Sequence, residues 1–235
     1  MNSIKQIEVI YNNRLVGRLA LTREGLCAFE YSAEWLSSGF SISPFELPLR
    51  SGVFIAKPRP FEGGFGVFDD CLPDGWGLLI LDRYLQQKGI NPRTLTLLDR
   101  LALVGSTGRG ALEFRPDNSV VTRQDFADFE KLALEAEKIL ASDDYMGEGI
   151  EEFQDRGGSP GGARPKIFVR YNDKEWLVKF RAKRDSQSIG VDEYRYSLLA
   201  KECGIEMPET RLFEGKYFGV ERFDRTLGGK LHVVS

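Results

Sequence analysis

Histidine is nearly missing from this chain: His232 is the only one in 235 residues. A lone imidazole near one end reads as a surface or strand residue rather than a catalyst. Cysteine is almost as scarce. Cys27, Cys71 and Cys203 are far apart and odd in number, which fits neither a disulfide framework nor a zinc site and points to a reducing compartment. No apolar run approaches membrane-spanning length, and the start "MNSIKQIEVIYNN" has no apolar signal core. A soluble, cytoplasmic protein is expected. Basic excess is also lacking. With a net charge of −3 and a pI of about 5.5, direct nucleic-acid binding has no global electrostatic support.

What is present is a 42% hydrophobic chain with core enough for one large or two small domains. "IEVIY" and "LVGRLAL" flank Asn12-Asn13, a pair that tolerates the positive φ of a tight hairpin. A third strand, "LCAFEYS", follows, and residues 37–66 read as loop with short strands. "LPDGWGLLILDRYLQQKG" predicts a helix started by Pro73-Asp74 and stopped at Gly89. "TLTLLDRLALVG" predicts a second helix ending at Gly105, and "ALEF" a strand. A third helix is expected to open with Thr122 and Asp125 at capping-box spacing, with Phe126, Phe129, Leu132 and Leu140 on one face. The acidic stretch 141–156 reads as a linker between a module at 1–140 and a second at 157–235.

The second module begins "RGGSPGGARPKIFVRYNDKEWLVKF". Its glycines fit neither a Walker loop, because Gly162 is followed by Ala163-Arg164, nor a dinucleotide fingerprint, because the loop enters a hairpin rather than a helix. A glycine-rich turn before two strands, with a lysine on the second, is the protein-kinase arrangement. Lys179 occupies that place between Val178 and Phe180, and an ammonium there is costly to bury without an anion. The helix "VDEYRYSLLAKECG" offers Glu193 as its partner. The alternating "YFGVERF" resembles a hinge strand whose backbone beside Glu221 and Phe223 can hydrogen-bond an adenine.

These residues, with "GRLALTREGLCAFEYSAEWL", "FGVFDDCLPDGWGLLILDRYL", "EYRYSLLAKECGIEMPET" and "GVERFDR", resemble the HipA family of bacterial serine/threonine kinase toxins. The resemblance implies an α+β protein: a HipA-like N-terminal α/β subdomain, then a kinase-like N-lobe made of an antiparallel sheet plus a helix. It implies ATP and magnesium as cofactors, a HipB-like DNA-binding antitoxin as partner, and DNA association only through that antitoxin. The substrate implied is a protein of the translation apparatus, of the aminoacyl-tRNA synthetase class. By position it assigns ATP to the loop residues Gly158, Ser159, Gly161, Gly162 and Ala163, and to Lys179, Glu221 and Phe223. Ser159 is the implied autophosphorylation residue, since roughly −1.5 to −2 of added charge in that loop would repel ATP. The family's catalytic Asp and magnesium ligands lie beyond "VERFDR". No catalytic residue is therefore assigned to this chain, the catalytic lobe is expected to be missing, and a non-catalytic partner-binding role is the alternative.

Other constellations are simpler. Asp69, Asp70 and Asp74 in "FDDCLPDGW" could suggest a metal or paired-carboxylate site, but capping and turn formation account for Asp70 and Asp74. Arg109 in "GSTGRGALEF" could serve an anion loop, with a structural role preferred. Trp35, Trp76 and Trp176 read as packing residues.

Overall fold

The computed structural model describes residues 4–120, 127–157 and 162–234. In chain order its elements are β1 (Gln6–Tyr11), β2 (Arg14–Leu21), β3 (Cys27–Tyr31), α1 (Ala33–Ser38), β4 (Val53–Ile55), α2 (Gly66–Asp69), α3 (Gly75–Gln87), α4 (Leu97–Val104) and β5 (Leu112–Arg115). There follow α5 (Phe129–Ala141), α6 (Gly149–Gly157), β6 (Lys166–Tyr171), β7 (Lys174–Lys179), α7 (Ile189–Glu202), β8 (Thr210–Phe213), β9 (Tyr217–Glu221), β10 (Arg225–Thr226) and β11 (Gly229–Lys230). The class is α+β, with antiparallel sheets. The chain forms two compact units that interleave in sequence: Met1–Pro73, Asn91–Val120 and Asp224–Ser235 make one, Asp74–Ile90 and Val121–Phe223 the other. Among the described residues, no helix is long and apolar enough to cross a membrane.

The first unit is built on a five-stranded sheet in the order β4-β3-β2-β1-β5. Asn12 and Asn13, at φ 46 and 62, close the expected β1–β2 hairpin. Alternation along the strands sorts the two faces. Ile7, Val9, Val16, Leu19, Cys27 and Phe29 enter the core with Phe68, Leu101 and Phe114. The outer face carries Val53, Glu30, Arg18, Glu8 and Arg115 as successive cross-strand neighbours, so charges of opposite sign stand side by side. Tyr31 pins the loop between α1 and β4: its hydroxyl donates to Leu47 O at 2.6 Å and accepts from Ile42 N at 3.1 Å. Trp35 is buried, as its sequence context implied. α1 itself was not anticipated; Ser32 caps it by accepting from Trp35 N at 3.1 Å. α4 ends at Gly105 as expected and carries an unexpected capping box between Thr96 and Asp99. His232 is half-buried rather than a bare surface residue. Its ring packs against Phe40, and its Nε2 is 2.8 Å from Ile42 O.

The second unit centres on a four-stranded sheet, β6-β7-β9-β8. The strand, turn, strand order from Lys166 matches expectation, with Asn172 and Asp173 at φ 50 and 59 in the turn. One face of the sheet presents Ile167, Val169, Trp176 and Val178. They pack with Trp76 of α3, Phe129, Leu132 and Ile139 of α5, and Ile150 and Phe153 of α6. α7 lies on the opposite face, where Ser197 Oγ and Thr210 Oγ1 are 2.9 Å apart.

Two local readings change. α5 begins after Asp128, which caps it by accepting from Lys131 N at 2.9 Å; Thr122, Asp125 and Phe126 lie outside the described residues. The stretch 141–156, read as linker from its acidity, carries α6, in which Glu151 is exposed while Ile150, Phe153 and Arg156 are buried. The acidic composition concealed a buried apolar pair, Ile150 and Phe153, at helical spacing.

Candidate functional site

The β6–β7 register decides which side chains share a face. Lys166 pairs with Lys179, and Phe168 with Leu177, which in turn pairs with Val220 of β9. The face opposite the helical core therefore bears two lysines abreast, then an apolar row of Phe168, Leu177 and Val220, all half-buried. Beyond that row, Arg222 lies over the Phe168 ring at 4.2 Å and pairs with Glu175 at 3.3 Å. Cationic, apolar and polar zones thus follow one another across the sheet.

Lys179 meets Glu193 as its sequence context anticipated: Nζ donates to Oε2 at 2.9 Å. Strand β7 supplies the lysine and α7 the carboxylate, so the pair ties a helix to the sheet. The ammonium also sits over the Phe218 ring at 5.2 Å. Glu193 holds a second cation, with Arg164 Nη1 at 3.6 Å. Arg164 in turn grips Asp185 through two parallel bonds of 2.8 and 3.0 Å, the geometry a guanidinium is built for. Asp185 also accepts from Ala182 N at 2.9 Å. Hydrogen bonding from Arg164 holds the Asp185 carboxyl below its ordinary range.

Lys166 is the most confined of these cations, only 4% exposed. Burial first, and the neighbouring Lys179 second, push its pKa below the ordinary lysine value. A Cβ placed on Gly162 would lie 3.0 Å from its Nζ, so the lysine points at the end of the glycine-rich turn.

Gly162 and Ala163 are exposed at that end, and Gly162 has φ +89, a conformation that favours glycine. Gly158, Ser159 and Gly161 lie outside the described residues. Asp74 occupies the N-cap position of α3 but makes no side-chain bond to that helix. Gly75, at φ +44, turns the chain there, and the Asp74 carboxylate instead accepts the Gly162 N–H. Trp76 N donates to Gly162 O at 3.0 Å. The capping role read for Asp74 is thus replaced by an anchor on the glycine-rich turn. Asp70 closes the C-terminal end of α2, and Arg109 donates to the Asp70 carbonyl at 3.0 Å, a structural role. Among the described residues, no group of three or more His, Cys, Asp or Glu side chains is gathered as a metal site.

Glu221 and Phe223 stand apart from the lysines. The Glu221 carboxylate accepts from Lys174 at 2.8 Å, and its N–H donates to Glu209 O. Arg222 N–H is committed to Glu175 O. Phe223 is 60% exposed. A cavity of about 190 Å³ opens beside the Lys179–Glu193 pair, walled by Leu134 and Glu137 of α5, Ile189 and Gly190 of α7, and Phe218. It is smaller than a site enclosing a whole nucleotide, and Glu221 and Phe223 do not line it.

Sequence reasoning missed Arg164, Lys166 and Asp185. The signal for Lys166 was available: a two-residue turn at Asn172-Asp173 fixes the hairpin register and sets Lys166 opposite Lys179.

Residues 7–115 match the family model of the HipA N-terminal domain, and residues 158–235 match that of the HipA-like C-terminal domain. A search of curated proteins found no match.

Proposed function

This chain belongs to the HipA family, and from that premise we propose that it acts as a HipA-like toxin whose second unit is the nucleotide-binding part of a serine/threonine kinase. ATP lies on the sheet face bearing Lys166 and Lys179. The turn Gly158–Ala163 covers its phosphates, the apolar row Phe168–Leu177–Val220 floors its base, and the Phe223 N–H and Glu221 carbonyl are the hinge groups. The observation that carries this reading is the Lys166–Lys179 pair on one sheet face, with Lys179 oriented by Glu193. Two ammonium groups abreast on one sheet face present a local positive charge that a polyphosphate matches.

Bound ATP and magnesium would supply the transferable phosphoryl group and its charge compensation. The protein's own residues bind and orient: Lys179 is held by Glu193, Glu193 is shared with Arg164, and Arg164 is fixed by Asp185. Asp74 fixes the end of the turn at Gly162. No residue of this chain is proposed as proton acceptor or magnesium ligand. In this reading the phosphorylated protein is a component of translation, an aminoacyl-tRNA synthetase being the class implied, and a HipB-like antitoxin restrains the toxin and carries any DNA contact.

The test is nucleotide binding by the purified protein, followed with a fluorescent ATP analogue. Lys179→Met should weaken binding about tenfold or more, the scale of one charge-assisted bond, while the melting temperature stays within a few degrees. Equal affinity in parent and variant would remove Lys179 from the nucleotide site.

A further inference from the structure

β4 is one edge of the five-stranded sheet, and its backbone is poised to accept another strand. Ala56 N donates to Cys27 O at 2.8 Å, and Phe54 stands opposite Phe29. Backbone groups alternate in direction along a strand, so residues 54 and 56 turn theirs toward β3. Those of Val53 and Ile55 therefore point to the open edge. The same two side chains are 56% and 61% exposed, on the outer face beside Glu30 and Ala28. At the opposite edge, by contrast, Glu113 of β5 is held by Lys230 at 2.6 Å.

The local charge says what would bind. Residues 47–61 hold Arg50, Lys57 and Arg59 and no acidic residue, in a chain whose net charge is −3. All three are exposed, and the Arg50 guanidinium is kept at the strand by lying 4.3 Å over the Phe54 ring. Sheet edges are commonly blunted by charge or proline on the strand itself. Here Lys57, Pro58 and Pro60 follow the strand, while the strand positions facing out are Val and Ile.

We propose that the β4 edge is a docking site for an extended acidic segment of a protein partner, added as a sixth strand. Main-chain bonds to Val53 and Ile55 would give the affinity. The apolar side chains would cover alternate residues of the segment, and Arg50, Lys57 and Arg59 would select its carboxylates. The site is independent of the nucleotide reading, being built from other residues.

The experiment uses the full chain and two fluorescent eight-residue peptides, one alternating Val and Glu, the other Val and Lys. The acidic peptide should raise anisotropy, with the basic one at least about tenfold weaker. Ile55→Pro removes an outward N–H without breaking a bond to β3, a place where proline is tolerated, and should abolish binding at an unchanged melting temperature. Should that variant melt early, Val53→Lys/Ile55→Lys, which changes only exposed side chains, should weaken the acidic peptide by about tenfold. Equal binding of both peptides, or acidic binding within twofold of the parent in a folded variant, would overturn the proposal. So would a concentration-dependent dimer of the parent that Ile55→Pro dissolves, because the edge would then belong to a second copy.

Discussion

Lys166 and Lys179 stand directly opposite each other on β6 and β7, two ammonium groups on one sheet face, the second of which donates to Glu193. This pairing follows from the hairpin register and sets a half-exposed lysine beside a buried one.

On the nucleotide-binding reading proposed above, Lys166 sets a pH dependence for that binding. Burial and Lys179 lower the Lys166 pKa; a bound phosphate acts in the opposite direction and raises it again, so binding takes up protons in the alkaline range below the ordinary lysine value of about 10.4. ATP affinity should fall as pH rises through that window, and Lys166→Met should flatten the profile and weaken binding about tenfold at neutral pH. Without nucleotide the sign on stability is reversed. The unfolded chain holds this proton to higher pH than the folded one, so the contribution to stability rises with pH over the same window. Fluorescence titrations of parent and variant from pH 7 to 10 separate the two effects.

Asp185 gives an acid-side counterpart. Its folded pKa is lowered by the Arg164 bonds, so the stabilisation it provides is complete above the unfolded value of about 3.9 and is lost as pH falls through the lower folded value. Carboxyl NMR shifts should show Asp185 titrating below the exposed aspartates. Arg164→Met should raise it toward the ordinary range, and an unchanged midpoint would show that Arg164 does not set it.

Gly75 should tolerate no side chain. Its φ is +44, and an added Cβ would stand 2.7 Å from both the carbonyl carbon and the oxygen of Gly162. Gly75→Ala should cost about 1–3 kcal/mol and lower the urea midpoint with little change in slope. Gly89→Ala is the control: it also has positive φ, at +73, but nothing lies within 4 Å of the added atom, so its loss should be the smaller of the two.

Much of this architecture was legible because short-range chemistry agreed with the fold. The Asn12-Asn13 and Asn172-Asp173 turns, the stop of α4 at Gly105 and the strand bearing Lys179 needed only propensity and period. The Lys179–Glu193 pair was legible too, because a strand lysine between apolar neighbours demands an anion and α7 offers one early. What escaped depended on distant partners. Asp74 has a capping residue's position, and only the return of the chain 88 residues later gives its carboxylate another donor. α6 was hidden because Glu151, Glu152 and Asp155 dominate its composition, whereas Ile150 and Phe153 decide where it packs. Arg164 and Asp185 are joined across a hairpin and a loop, a closure that no local pattern encodes.

The interleaving of the two units has a consequence during synthesis. α3 leaves the ribosome well before α5, α6 and the β6–β9 strands, yet Trp76 and Ile80 bury their apolar surface against residues from those later segments. At ~5–20 residues per second, Tyr217 of the same core emerges on the order of ten seconds after Trp76. Through that interval the nascent chain carries the α3 segment with its apolar residues still wet. Chaperone crosslinking to stalled chains ending near residue 120 would accordingly concentrate on α3, and fade once β9 has been made.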